Sequence, residues 1–277
     1  MLTISCAFIE CLDKNQKPLL NATASGFIRR ENGVCFLYTC WHVVTGFNPY
    51  SRGGTADLLR RRRYLRVSLQ DAKPTAPGST LIGGVQSLVV PLYEEKQGIL
   101  HPLWLQDELD TPHVELNGIG LRKPFWHDAI KLALPPTLAV SDIQLIDESR
   151  IHGSNSMMVL PGDKTLVVGF PHGYSSVGMD QPTPVVLTRF VAGISMSDRP
   201  REFLLESIGS PGMSGGPVYI DTGKDVLLVG IYTGSISPDN LHPKPEKATA
   251  LGTAADLTFL LHGHLPLIRP APPPLDQ

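Results

Sequence analysis

Short apolar runs dominate this sequence, each closed off by glycine, proline, asparagine or aspartate, and almost no stretch keeps a helical spacing. Ala24 to Arg30, Val34 to Cys40, Leu65 to Gln70, Leu81 to Val90 and Ala129 to Leu134 are such runs in the first half. Lys164 to Phe170, Val185 to Ile194, Phe203 to Ser207, Val218 to Ile220 and Val226 to Tyr232 follow in the second. They are rich in Val, Ile, Leu, Phe and Tyr, side chains that fit a pleated, half-buried surface. Glu31-Asn32-Gly33 is a hairpin signal, because Asn-Gly tolerates the positive φ that such turns need. The one helical candidate is Ala255 to His262, where Leu257, Leu260 and Leu261 share a face. The pattern predicts an all-β fold of two small barrels joined near Pro135 to Asp142. Residues 1–140 are expected to form the first barrel and residues 141–265 the second. A short helix closes the second unit, and residues 266–277, dense in proline, are read as an extended tail.

Composition narrows the classes of function. The 277 residues carry a net charge of -2, which gives no global pull toward nucleic acid or an anionic membrane. No apolar run approaches the length of a membrane span. Glu10 and Asp13 interrupt the start where a secretory leader would need an apolar core. A cytoplasmic protein is expected. Cys6, Cys11, Cys35 and Cys40 all lie in the first forty residues and read as thiols in a reducing compartment. A zinc site from Cys35, Cys40 and His42 is disfavoured, because on a strand the two cysteines would face opposite sides. The run Arg60 to Arg63 reads as a solvated insertion loop in a near-neutral chain rather than a nucleic-acid patch. The other histidines show no metal-ligand spacing, and no cofactor is called for.

The residues that carry chemistry lie far apart. Pro211-Gly212-Met213-Ser214-Gly215-Gly216-Pro217 sets a serine among glycines, which permits a tight turn and close backbone approach. The N–H groups of Gly212 and Ser214 could there point at one spot and bind an oxyanion. Thr39-Cys40-Trp41-His42-Val43-Val44 places a histidine where an apolar strand ends. Asp128 opens the alternating segment Asp128 to Leu134, where its carboxylate could accept the Nδ1 proton of His42. Asp107 and Asp110 are rival acids, but neither leads an alternating strand.

In the order His42, Asp128, Ser214, these segments resemble the trypsin-like serine peptidases of the chymotrypsin fold. Ser25-Gly26-Phe27-Ile28 with Tyr38 to Val44 is similar to the strands leading to that family's histidine. Val168-Gly169-Phe170-Pro171-His172-Gly173 resembles a segment before the serine loop in bacterial members. Gly230-Ile231-Tyr232-Thr233-Gly234 resembles the strand lining the cleft. Pro91-Leu92-Tyr93 and Pro102-Leu103-Trp104 look like a subgroup of stand-alone bacterial peptidases.

The resemblance implies two six-stranded antiparallel barrels and a serine endopeptidase acting through a covalent acyl-enzyme. His42 is then base and acid, Asp128 its orienter and Ser214 the nucleophile. Gly212 and Ser214 form the oxyanion hole, and Thr233, Gly234 and Ser235 pair with the substrate backbone. A protein or peptide is the expected partner, with a regulatory protein as a further one. Ile208, six residues before the nucleophile, implies a shallow pocket for small or medium apolar side chains, since it offers a substrate cation no countercharge. Met213 stands where zymogen-type relatives carry an Asp, which implies no activation by N-terminal clipping. Residues near Tyr50 to Arg63 and Glu94 to Asp110 read as insertions around the cleft. The rival readings are a catalytically silent peptide-binding module on the same fold and an esterase for small acyl groups. The serine loop is unlike the Gly-x-Ser-x-Gly elbow of α/β-hydrolases.

Overall fold

The structure is a computed structural model. It describes residues 3–47, 62–76, 79–107, 127–138, 140–146, 148–152, 159–174, 183–195, 202–207, 210–236, 251–261 and 267–269. The fold is nearly all β. The expected strands form, and Asn32 and Gly33, with φ of 48° and 81°, close the predicted hairpin between β2 (Pro18–Glu31) and β3 (Val34–Thr39).

The first half builds an eight-stranded sheet around β1 (Cys6–Leu12). β4 (Tyr64–Ala76) and β5 (Ser79–Pro91) extend it on one side. On the other side β3 is followed by β9 (Ile130–Ala133), β8 (Leu105–Asp107) and β16 (Leu267–Ile268). A separate hairpin, β6 (Tyr93–Lys96) and β7 (Ile99–Pro102), leads into β8. Among the described residues no pairing joins β16 to β5, so the sheet is open where a closed six-stranded barrel is expected. The extra strands come from two places: part of the expected insertion supplies β8, and part of the expected tail supplies β16.

The second half does close. Strands β10 (Lys164–Gly169), β11 (Val185–Ser195), β12 (Glu202–Leu205), β15 (Leu251–Asp256), β14 (Val226–Ile236) and β13 (Pro217–Asp221) form a six-stranded antiparallel barrel in that order. Val167, Val191, Phe203, Leu205, Val218 and Val229 fill it. The larger core lies under the first sheet and reaches across to Val168, Phe170 and Ile231, so the two halves share apolar packing.

The terminal helix is shorter than expected, Thr258–Leu261, because Ala255 and Asp256 complete β15. Its last carbonyl, on Leu261, accepts from the buried Arg29 guanidinium at 3.2 Å. No helix among the described residues is long and apolar enough to cross a membrane.

The expected insertion at Glu94 to Asp110 is in part core. Trp104 is fully buried against Tyr93, edge-on at 5.3 Å, and the Leu103 N–H donates to Leu92 O at 3.0 Å. The two Pro-Leu-aromatic segments are therefore partners across one hairpin. Arg62 and Arg63 are not solvated loop residues either. The Arg63 guanidinium lies 6.0 Å from the Tyr93 ring centre, and the Arg63 backbone N–H donates to Leu12 O at 2.8 Å.

Candidate active site

β3 delivers its apolar residues into the core and ends at Thr39, and the chain then turns into a one-turn helix, Trp41–Thr45. Trp41, Val43, Val44 and Thr45 are all buried, so the only residue of the turn that reaches the rim is His42. Gly46, with φ of 83°, ends the helix and its N–H donates to His42 O at 2.8 Å. Arg62 Nη1 donates to the carbonyls of His42 and Val43 at 2.8 and 2.5 Å. A charged donor thus clamps the helix end that carries the imidazole. Nothing in the sequence marks Arg62 for this duty, since its neighbours are equally basic.

Asp128 arrives on the strand beside β3. Thr39 pairs with Ile130, which sets Asp128 next to the histidine. The Ala129 N–H donates to His127 O at 2.7 Å, a three-residue turn centred on Asp128. One carboxylate oxygen accepts the His42 backbone N–H at 2.9 Å and the other meets His42 Nδ1 at 2.5 Å. The carboxylate is 2% exposed and the imidazole 27% exposed. This two-point grip fixes both the position of the ring and its tautomer: with Asp128 ionised, Nδ1 carries the proton and Nε2 is left as the basic nitrogen.

Asp107, the described rival acid, binds elsewhere. Its Oδ2 accepts the His127 N–H at 2.8 Å and lies 3.0 Å from His127 Nδ1. A second buried His–Asp pair thus stands immediately behind Asp128 and fixes the start of its turn. Asp110 lies outside the described residues, as does Ile208.

The serine loop runs across the top of the second barrel. Gly212 has φ of 94°, and a Cβ there would sit 2.3 Å from Phe170 O. Gly215 has φ of 88°, and a Cβ would sit 2.1 Å from Ser25 O. Only glycine meets both demands. The Ser214 carbonyl accepts the Ser25 N–H at 2.9 Å, while Gly215 and Gly216 bond the backbone of Tyr232 at 2.8 and 2.9 Å. The loop is therefore tied to β2, the strand paired with the one that leads to His42. Met213 is fully buried in the barrel core and makes no ion pair among the described residues.

β13 ends its pairing with β14 at Pro217–Ile231, so Thr233, Gly234 and Ser235 run on past the serine loop. Gly234 and Ser235 pair with β15 on their other edge, and a bulge falls between Tyr232 and Gly234. Thr233 Oγ1 donates to Thr253 Oγ1 at 3.0 Å. Asp256 is the last residue of β15, not a helical residue, and is buried.

Cys40, His42 and Asp128 have ligating atoms within 4.8 Å of one another. The Cys40 thiol already donates to Tyr232 O at 3.3 Å, and His42 Nδ1 is taken by Asp128. Burial first, and the Asp128 charge second, push the Cys40 thiol well above its ordinary range. A thiolate ligand is therefore expensive here, and the three residues fit a metal poorly. Cys35 lies at the far end of β3 from Cys40 and is no part of the cluster. All four cysteines are free thiols.

Fold and site together outline a nearly all-β protein with a buried carboxylate gripping a histidine after β3 and a glycine-rich serine loop seated against Ser25 of β2 and Thr39 of β3. No known protein-family profile matches the chain, and no curated protein matches it. Among solved structures, the HtrA-type protease AlgW with a decapeptide aligns at 14% identity and a TM-score of 0.48, over 94% of this chain and 62% of that one. The serine endoprotease from Yersinia pestis aligns at 13% identity and a TM-score of 0.48, over 94% of this chain and 61% of that one. The chain thus spans about three fifths of the length of these two proteins.

Proposed function

We propose that the chain is a serine endopeptidase that cleaves through a covalent acyl-enzyme, with His42, Asp128 and Ser214 as its triad. One observation carries this reading: the buried Asp128 carboxylate holds His42 at both its backbone N–H and its Nδ1. A strand-edge aspartate has no need of such a two-point grip, whereas a general base does. His42 Nε2 takes the Ser214 hydroxyl proton as the oxygen attacks a peptide carbonyl. Asp128 stabilises the imidazolium that results, and the same proton then passes to the leaving amine. The N–H groups of Gly212 and Ser214 receive the negative oxygen. The edge of Thr233 to Ser235 beyond Pro217 supports strand-like docking of a peptide.

The domain division at about residue 140 belongs to this reading, with His42 and Asp128 on one unit and Ser214 on the other. So does kinship with stand-alone bacterial peptidases. Free thiols support a reducing compartment such as the cytoplasm. A preference for small or medium apolar side chains before the cut rests on Ile208 in the sequence alone.

The test is labelling with a fluorophosphonate followed by a peptide-library digest. The parent protein should take one label and cut. Ser214→Ala should lose the label and at least about three powers of ten in turnover. A folded parent protein that binds peptides but neither labels nor cuts would establish the silent module instead. Dominant cleavage after Arg or Lys would refute the pocket argument alone.

A further inference from the structure

We propose that Ser25 is a positioning residue for the oxyanion site, a role that rests on the peptidase reading above. Ser25 lies on β2 in the other half of the molecule from Ser214, and it is fully buried. Its hydroxyl donates to Gly212 O at 2.7 Å and accepts the Phe170 N–H at 3.0 Å. Its backbone N–H donates to Ser214 O at 2.9 Å, and its carbonyl accepts the Thr39 hydroxyl at 2.8 Å. One side chain thus joins three segments: β2, the end of β10 with the turn after it, and the serine loop.

The geometry explains what this junction does. In a trans peptide the C=O and the following N–H point opposite ways, and the structure contains no cis peptide among its described residues. The direction of the Gly212 N–H is therefore set by the Pro211 carbonyl, and that of the Ser214 N–H by the Met213 carbonyl. Met213 O is held from within the loop by the Gly216 N–H at 2.9 Å. Pro211 O is held from outside it, by the His172 N–H at 2.5 Å. The first donor consequently depends on how the turn Pro171–Gly173 sits against the loop. His172 adopts φ 53° and ψ 23° to make that contact, a conformation that costs a non-glycine residue energy and persists only where its surroundings enforce it.

The Ser25 hydroxyl is the side-chain tie between that turn and the loop. The relay runs from the Phe170 N–H to Ser25 Oγ and from its hydroxyl to Gly212 O. With the relay in place, His172 reaches Pro211 O and the Gly212 N–H is turned away from the turn. Without it, the Gly212 carbonyl and the Phe170 N–H lose their partner together. The Gly212–Met213 peptide then keeps the bond from the Met213 N–H to Ser210 O at 3.1 Å, but the turn that carries His172 has lost its side-chain tie to the loop. An alanine at position 25 would leave the nucleophile and its base in place and loosen only the anion receptor.

The experiment measures kcat, KM and the affinity for a peptidyl trifluoromethyl ketone, which forms an oxyanion on the enzyme, with concentrations set by fluorophosphonate titration. Ser25→Ala should lower kcat about 10- to 100-fold, as loss of part of an oxyanion site does, with KM within about twofold. Affinity for the ketone should fall by the same factor as kcat/KM. His172→Val disfavours the left-handed conformation from an exposed position, does not disturb the core, and should shift the same quantities in the same direction. Alanine and valine variants that keep kcat within about threefold of the parent, or whose loss lies in KM with the ketone affinity unchanged, would overturn the proposal while leaving the peptidase reading intact. A parent protein that takes no fluorophosphonate label overturns both.

Discussion

Replacing Gly215 by alanine tests how the serine loop is seated on the first sheet. The new Cβ would lie 2.1 Å from Ser25 O and 2.3 Å from Thr39 Oγ1, far inside contact distance. Neither neighbour can retreat freely, because Ser25 O and Thr39 Oγ1 are bonded to each other at 2.8 Å and the Ser25 N–H holds Ser214 O. Positive φ costs an alanine about 1–2 kcal/mol. Forcing the loop off β2 sacrifices two buried hydrogen bonds, about 1 kcal/mol each. The total is about 3–4 kcal/mol, equivalent to a fall of about 10 °C in Tm for a chain of this size. Gly33→Ala is the internal control. Gly33 has φ of 81° but nothing within 4 Å of the added Cβ, so only the backbone cost of about 1–2 kcal/mol applies. Thermal unfolding followed by circular dichroism should place Gly215→Ala at least about 5 °C below Gly33→Ala. Equal Tm values for the two variants would refute the claim that the serine loop is wedged against β2 at Gly215.

Other perturbations address the site and its supports. Asp128→Asn keeps the shape but removes the charge opposite the imidazolium, so turnover should fall by about 10³- to 10⁴-fold with Tm near the parent value, measured by peptide hydrolysis and calorimetry. Arg62→Met removes the guanidinium from the His42 and Val43 carbonyls and should cost about 1.5–3 kcal/mol, with Arg62→Lys recovering part of it; a parental Tm for the Met variant would remove Arg62 from the clamp. Burial pushes the thiols of Cys6, Cys11 and Cys40 up, so they stay protonated in the fold while the unfolded chain ionises them above about pH 8.5. The unfolded state then binds fewer protons, so stability is full below that pH and falls as pH rises, by about 1.4 kcal/mol per pH unit for each such thiol. A Tm independent of pH between about 8.5 and 10 would contradict this.

The strands most legible in the sequence are those with β-branched or aromatic side chains, as in β2, β11 and β14. β15 was illegible because Leu-Gly-Thr-Ala-Ala-Asp has weak strand preference. Its neighbours demand that composition: a Cβ on Gly252 would sit 2.6 Å from Ser207 O, and one on Gly230 of β14 would sit 2.2 Å from Ala255 O. Pairing with β12 and β14 on both sides overrides the local preference. β1 is illegible for a related reason. It lies between β2 and β4 with inward and outward residues largely buried, so Cys-Ala-Phe-Ile-Glu-Cys-Leu shows no clean alternation. The residues proposed to react are visible because each stands beside a local pattern: an apolar strand end, an alternating segment, a glycine cluster. Ser25, Arg62 and the Asp107–His127 pair act through partners as far as 187 positions away. Single-sequence patterns carry no trace of such distances, although a serine between Ala24 and Gly26 in an apolar run marks a close backbone approach.

The order in which the chain leaves the ribosome meets a constraint at β16. Leu267 pairs with Asp107 and Ile268 with Gln106, so the strand that holds the second His–Asp pair is edged by residues made about 160 positions later. Contacts of such long separation form last, because the intervening chain must first be drawn in. A nascent chain can therefore assemble β1 to β4 while the support behind Asp128 still lacks its outer neighbour. The strand that carries Asp107 gains this outer neighbour only once synthesis has passed Ile268.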